Sequence, residues 1–419
     1  MNILVLGNGF DLALGLPTKY TDFLEFVNVI EELCPNEYLT ERCINNAYSY
    51  AFSGMSEKKY DAFVNQLGWA FHSSNHPCIA IQDMYDCIHE NAWINYFQRR
   101  ISENQISGEN WIDLEKEIKN VVQILDRVSY DIRYLGDIMD TWARTMNRTP
   151  LDIDGILHDF EHNRYSITLS RETYIMFKSK LRGDFERFVC ALQIYFDFFV
   201  GLSKLVDGRQ LPSPLKALHF DNVLSFNYTP YWNKLNKGQI DEQQICFVHG
   251  KLSYCNEKND HKLADIIQNS DVIIGFDEYL DNNKKNEQLE FVYYRKYFQR
   301  IAKGTGSEYL SWLSAYQYDE PTQRYSDETI AREAARYPNH VYIFGHSMDP
   351  TDKDIFKDIF LREPNDTKVT IYYHDEEAHE RIITNLIAII GQDRLIEKTH
   401  KRGFETADIE IVPQFDFLS

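Results

Sequence analysis

Residues 1–12, MNILVLGNGFDL, constrain the fold more tightly than any other stretch of this chain. Residues 3–6 form a continuous apolar run, which suits a strand covered on both faces of a parallel sheet. Gly7-Asn8-Gly9 ends the run with a sharp turn, and Asp11 stands where it can cap the helix that follows. Mononucleotide and dinucleotide folds place their ligands at such a turn, where helix amides favour an anion.

Apolar runs at 222–226, 245–248, 272–275, 340–344, 368–373 and 409–412 read as further strands. Helical periodicity falls between them at 286–302, 327–336, 352–362 and 375–390. Alternation of this kind predicts an α/β fold, a doubly wound and mostly parallel sheet with ligands outside the carboxyl ends of its strands. The interval between the first strand and the rest reads as helical, with long periodic stretches at 111–144 and 171–206. The expected organisation is residues 1–21 as the first strand and turn, 22–210 as a large α-helical insertion, and 211–419 as the remainder of the α/β domain.

Composition narrows the choice of ligand. The chain has 419 residues, and its 44 basic against 64 acidic side chains leave a formal charge of −20. Such a field repels polyanions, so nucleic acid is a poor partner and any anionic ligand must be held locally. Seven cysteines without a CxxC pair suit a reducing compartment. No apolar run approaches the ~18 residues that span a bilayer, and no charged leader precedes the first strand. The expectation is a cytoplasmic chain with no membrane segment.

Small and polar residues recur at the ends of five predicted strands. They are Gly7, Asn8, Gly9, Phe10 and Asp11; Ser225, Asn227, Tyr228 and Thr229; His249 and Gly250; Gly275 and Asp277; and Gly345, His346, Ser347 and Asp349. Packing alone does not require polar groups there, so a shared small-ligand site is the expectation.

The opening LGNGFDLALGLPTKYTDF, with WIDLE at 111–115, LSFNYT at 224–229, VHG at 248–250, IIGFD at 273–277 and FGHSMDPTD at 344–352, resembles the AbiH family of bacteriophage abortive-infection proteins. That family in turn resembles sirtuin-like, Rossmann-like NAD-binding folds. The resemblance implies an antiphage effector that hydrolyses NAD or a related nucleotide. Asn227 would orient the ribose or a water, His249 would be the base, Gly345, Ser347 and Asp349 would line the adenosine or ribose side, and Gly7 and Gly9 the pyrophosphate. No metal is implied. Such an effector would answer to a phage-derived trigger, and self-association as a homo-oligomer would be a natural control.

Three positions depart from the implied pattern. Leu12 replaces the third glycine of G-x-G-x-x-G, Thr229 stands where the sirtuin element carries Asp, and the Asp11 carboxylate repels an anion unless it caps a helix or binds a hydroxyl. A hydroxyl-rich ligand tolerates Asp11 better. Two other classes of function are therefore weighed: a nucleotide-binding sensor without catalysis, and an RNA-directed nuclease toxin served by a basic patch from Lys284 and Lys285 to Arg295 and Lys296.

Simpler readings accompany several motifs. Asp352 is better placed than Asp349 to cap the helix beginning there, and Trp111, Asp113 and Glu115 suit a helix start. Gly345-His346-Ser347 resembles a nucleophile elbow, with His374 or His379 and Asp375 to complete a triad, yet its closing glycine is missing. His158, Glu161 and His162 match an inverted zinc-protease signature on a short segment, and His72, His76, Cys78, Cys87 and His89 lack paired ligand spacing.

Overall fold

The computed structural model describes residues 1–33, 77–103, 111–125, 128–130, 167–169, 171–200, 209–236, 240–252, 263–276, 289–315, 339–361, 367–400 and 408–414. The chain forms two compact units. One comprises residues 1–16, 205–251 and 299–419, and the other residues 17–204 and 252–298.

Among the described residues, chain order gives eight strands: β1 (Asn2–Leu6), β2 (Val128–Tyr130), β3 (Ile167–Leu169), β4 (Asn222–Ser225), β5 (Ile245–Phe247), β6 (Asn339–Phe344), β7 (Thr367–Tyr373) and β8 (Ile409–Pro413). The first unit is an open sheet in the order β5-β4-β1-β6-β7-β8, and every pairing is parallel. Its central strand is β1, with Leu6 opposite Ser225 on one side and Phe344 on the other. Ile3, Leu4, Val5 and Leu6 are all buried, as a strand covered on both faces requires. The core joins β1, β4, β6 and β7 through Val5, Leu224, Ile343 and Ile371 to Phe356 and Leu386 of the following helices. The helix Glu376–Ile390 starts where Asp375 Oδ1 accepts from Ala378 N at 2.7 Å and stops at Gly391, φ +87°.

From β1 the chain builds β4 and β5 on one side and returns to build β6, β7 and β8 on the other. The order therefore reverses at β1, and loops leaving β4, β1 and β6 diverge there. Parallel sheets open their ligand crevice at such a reversal, outside the carboxyl ends.

The second unit is mainly helical, with Tyr20–Leu33, Pro77–Ile88, Ala92–Ser102, Trp111–Leu125 and Arg171–Gln193, the last continuing as a π-helix over Ile194–Val200. Aromatic rings fill its core, including Phe26 on Phe199 at 4.6 Å, Trp93 on Phe185 at 5.1 Å and Phe97 on Phe188 at 5.4 Å between centroids. Asn91 is wholly buried and uses both ends of its amide. Its Oδ1 accepts from Trp93 N and Ile94 N to cap a helix, while Nδ2 donates to Cys87 O and Asp184 O.

Some segments differ from their sequence patterns. The helix expected over 111–144 ends at Leu125, and β2 follows and pairs in parallel with β3. A Val-Ser-Tyr run has β propensity that helical periodicity obscures. Residues 272–275 are buried yet form no strand; the neighbouring Phe276 makes one parallel bridge to Arg295, within the helical unit. Short apolar runs report burial and do not by themselves report pairing. The expected helix at 327–336 lies outside the described residues. No helix among the described residues is long and apolar enough to cross a membrane.

Candidate active site

The β1 turn and the loop after β6 are packed backbone against backbone. Gly7 N donates to Phe344 O at 3.0 Å, Gly9 N to Gly345 O at 2.8 Å, and Phe10 N to Gly7 O at 2.9 Å. A Cβ on Gly7 would stand 2.5 Å from Gly345 O and 2.6 Å from His346 Cα, and one on Gly9 would stand 2.7 Å from Gly345 Cα. Gly345 itself has φ +70°, and a Cβ there would collide with Phe10 N and the Gly9 backbone. These glycines admit a neighbouring loop, and carbonyls already occupy the amides of Gly7, Gly9 and Phe10. The helix Gly9–Ala13 has only five residues. A pyrophosphate finds few donors in this turn.

Asp11 is buried on that short helix, and Thr229, beyond β4, donates its hydroxyl to Asp11 Oδ2 at 2.5 Å. Burial pushes the Asp11 carboxyl up to about 7, against the opposing pull of hydrogen bonds from Thr229 and Asn227. Thr229 thus supports Asp11 and does not replace an acid. Ser225 Oγ donates to Asn227 O and accepts from Asn227 N, both at 3.2 Å, which fixes the turn carrying Asn227. Tyr228, half-buried, places its ring 6.0 Å from the His249 ring.

His249 follows β5 and His346 follows β6. Three strand spacings separate those strands in the sheet, roughly 14 Å at ~4.8 Å each. Asp352 joins the two histidines across that span: Oδ1 lies 3.6 Å from His249 Nε2 and Oδ2 lies 3.5 Å from His346 Nε2, with all three side chains buried. Both distances are in ion-pair range and longer than a hydrogen bond. His346 Nδ1 accepts from Met348 N at 2.9 Å, so its ring proton sits on Nε2, facing Asp352. Met348 holds that amide in place with φ +59°, a left-handed conformation unusual for a side chain of its size and typical of over-determined functional loops. Phe226 floors the cluster, edge-on to His346 at 4.3 Å and His249 at 5.6 Å, and stacked on Phe356 at 5.3 Å.

The structure therefore brings together Gly7, Asn8, Gly9, Phe10, Asp11, Ser225, Asn227, Tyr228, His249, Gly250, Gly345, Ser347 and Asp349 at the carboxyl ends of four adjacent strands of one unit. Gly275 belongs to the other unit, and Asp277 lies outside the described residues. Asp349 is the cap: its Oδ1 accepts from Thr351 N at 3.0 Å. Asp352, the residue whose position favoured capping, instead turns inward to the histidines. The signal for that exchange was the proline between them, since Pro350 starts a 3-10 turn that Asp349 can cap and that swings Asp352 inward.

Other motifs resolve differently. At Gly345-His346-Ser347 the left-handed residues are Gly345 and Met348, and an elbow would strain the nucleophile itself. His374 is exposed beside Asp375, which caps its helix, and His379 stacks on Tyr373. Arg295 and Lys296 form no basic surface patch, because both are buried: Lys296 Nζ pairs with Glu115 Oε1 at 2.7 Å and Arg295 lies over the Phe276 ring. Lys284, Lys285, His158, Glu161, His162, His72 and His76 lie outside the described residues. His89 stacks on Tyr85, and Cys87 is buried. Among the described residues no group of three or more His, Cys, Asp or Glu is placed to hold a metal.

No curated protein and no solved structure matches this chain significantly. The family described as bacteriophage abortive infection AbiH matches residues 3–373, nearly the whole length, and the chain belongs to that family.

Proposed function

We propose that this AbiH protein is an antiphage effector whose α/β unit is a Rossmann-like, sirtuin-like domain hydrolysing NAD or a related nucleotide, with residues 22–210 as its helical insertion. The sheet supports the fold assignment: numbered among themselves, its six strands run 3-2-1-4-5-6, with the site at the reversal. The observation that carries the chemistry is the His249–Asp352 pair, a buried imidazole facing a buried carboxylate, with Phe226 and Tyr228, the chain neighbours of Asn227, against the imidazole ring. A carboxylate on Nε2 favours the proton there and leaves the Nδ1 lone pair to act as the base.

In the proposed reaction the bond between ribose C1′ and the nicotinamide nitrogen breaks, and the leaving ring keeps the electron pair and departs neutral. A water oxygen bonds to C1′ and its proton passes to His249, which returns it to solvent. Asn227 orients the water or a ribose hydroxyl through its amide. The sugar is the part of the ligand these residues suit, since the β1 turn has few amides to give a phosphate. Loss of the nucleotide pool would end support for the phage in the infected cell.

Chromatography of nicotinamide and ADP-ribose formed from NAD by purified protein tests the reading. His249→Ala and Asn227→Ala are expected to lower turnover by roughly 10²- to 10⁴-fold, and both are expected to abolish phage protection. NAD left intact over hours, with protection undiminished in both variants, overturns it.

A further inference from the structure

Two buried oxygens at the β1–β4 crevice have no donor. Among the described residues, Asp11 Oδ1 and Asn227 Oδ1 lack any hydrogen-bond partner, although Asp11 is 1% and Asn227 5% exposed. Thr229 engages the other Asp11 oxygen, and Ser225 engages only the backbone of Asn227. Leaving a buried acceptor unsatisfied costs free energy, and two on facing loops point to donors arriving from outside the chain. The internal pyrophosphate of a dinucleotide offers only acceptors near neutral pH and is excluded. The two acceptors stand on loops leaving adjacent strands, and a vicinal diol supplies two separate O–H donors, one for each.

We propose that Asp11 and Asn227 form the acceptor pair for a sugar diol, each taking one hydroxyl of a ribose, with Thr229 as the positioning residue that fixes the Asp11 carboxylate. The inference rests on the reading above for the identity of the ligand as a ribose-bearing nucleotide. It makes Asp11 the selectivity determinant between ribose and deoxyribose.

Calorimetry of the full-length protein with nicotinamide riboside and adenosine, against their 2′-deoxy and 3′-deoxy forms and purine riboside, tests it. At pH 8, where the Asp11 carboxyl is mostly ionised, losing the hydroxyl on Asp11 is expected to weaken binding by about 10- to 100-fold, losing the one on the neutral Asn227 amide by about 3- to 10-fold, and losing the adenine amine to change it little. Asp11→Asn is expected to shrink the hydroxyl discrimination to a few-fold, and Thr229→Ser to retain it. The wild-type comparison holds whether or not a variant folds. Equal binding of ribose and deoxyribose forms, binding governed by the amine, or no nucleoside binding overturns the inference. NAD turnover without hydroxyl discrimination leaves the proposed reaction standing and removes only the diol site; discrimination without turnover does the reverse.

Discussion

In the helical unit Glu117 takes hydrogen bonds from Tyr96 at 2.7 Å, Arg100 at 2.9 and 3.2 Å and Asn120 at 3.0 Å, whereas in the α/β unit Asp11 meets, among the described residues, only the Thr229 hydroxyl and the Asn227 amide. Asp184 and Glu115 follow Glu117: Lys180 and Arg187 hold the first, Lys296 the second. A buried carboxylate surrounded by cations and donors is a packing solution, neutralised where it stands. Asp11 has no cation within ion-pair range among the described residues, and burial raises its affinity for protons. Acids kept without compensation are the ones that chemistry or a ligand must explain.

The largest effect should come from breaking a compensated pair. Lys296→Met leaves Glu115 buried without its ammonium and is expected to destabilise the protein by about 3–5 kcal/mol. Denaturant unfolding followed by fluorescence measures the loss. A change under about 1 kcal/mol would dissolve the distinction between the two classes of acid.

Asp11→Asn should act in the opposite direction. The folded state raises this carboxyl from 3.8 to about 7. Between those values the native protein binds more protons than the unfolded chain, so stability falls as pH rises and the full cost is present above pH 7. Three pK units correspond to on the order of 4 kcal/mol before any relaxation of the site. The amide variant is therefore expected to unfold at a higher temperature than the parent at pH 8 and to converge with it near pH 4. A parent curve flat between pH 4 and 8 would place Asp11 among the compensated acids.

Much of the α/β unit was legible because its central strands carry short apolar runs closed by glycine or polar residues. Residues 3–6 illustrate this, as do Asn227, His249 and Gly345 at the strand ends. What escaped depends on side chains meeting across the sheet. Nothing local in His249, His346 and Asp352 announces that one carboxylate reaches two rings from strands ~14 Å apart. The glycines are ambiguous in a different way. Gly7 and Gly9 report a close backbone approach, and sequence cannot distinguish an approaching phosphate from the approaching Gly345 loop. Lys296 reads as a surface cation until Glu115, 181 residues earlier, is found against it.

Asp352→Asn sharpens the comparison within the α/β unit. An amide keeps the shape between the rings but no longer holds the His249 proton on Nε2, so the proposed turnover should fall about 100-fold, roughly 2.7 kcal/mol of barrier. As a positioning residue it should lower kcat more than it raises KM and shift the acid limb of the pH profile. Loss of stability with an unchanged profile would make Asp352 a packing acid like Glu117.

Ser225→Ala gives the smallest effect and separates turn formation from ligand contact. The hydroxyl is buried and makes two hydrogen bonds, both 3.2 Å long and both to the Asn227 backbone. Removing it should cost about 1 kcal/mol of stability. Turnover should change less than threefold, because the Asn227 side chain is also held through Asp11. A 100-fold loss of turnover at unchanged stability would mean that the Ser225 hydroxyl leaves the turn to meet the ligand. Ser225 would then join Asp11 as a polar group whose buried position is explained by what binds there, and the line between structural and ligand-facing groups would run through β4 itself.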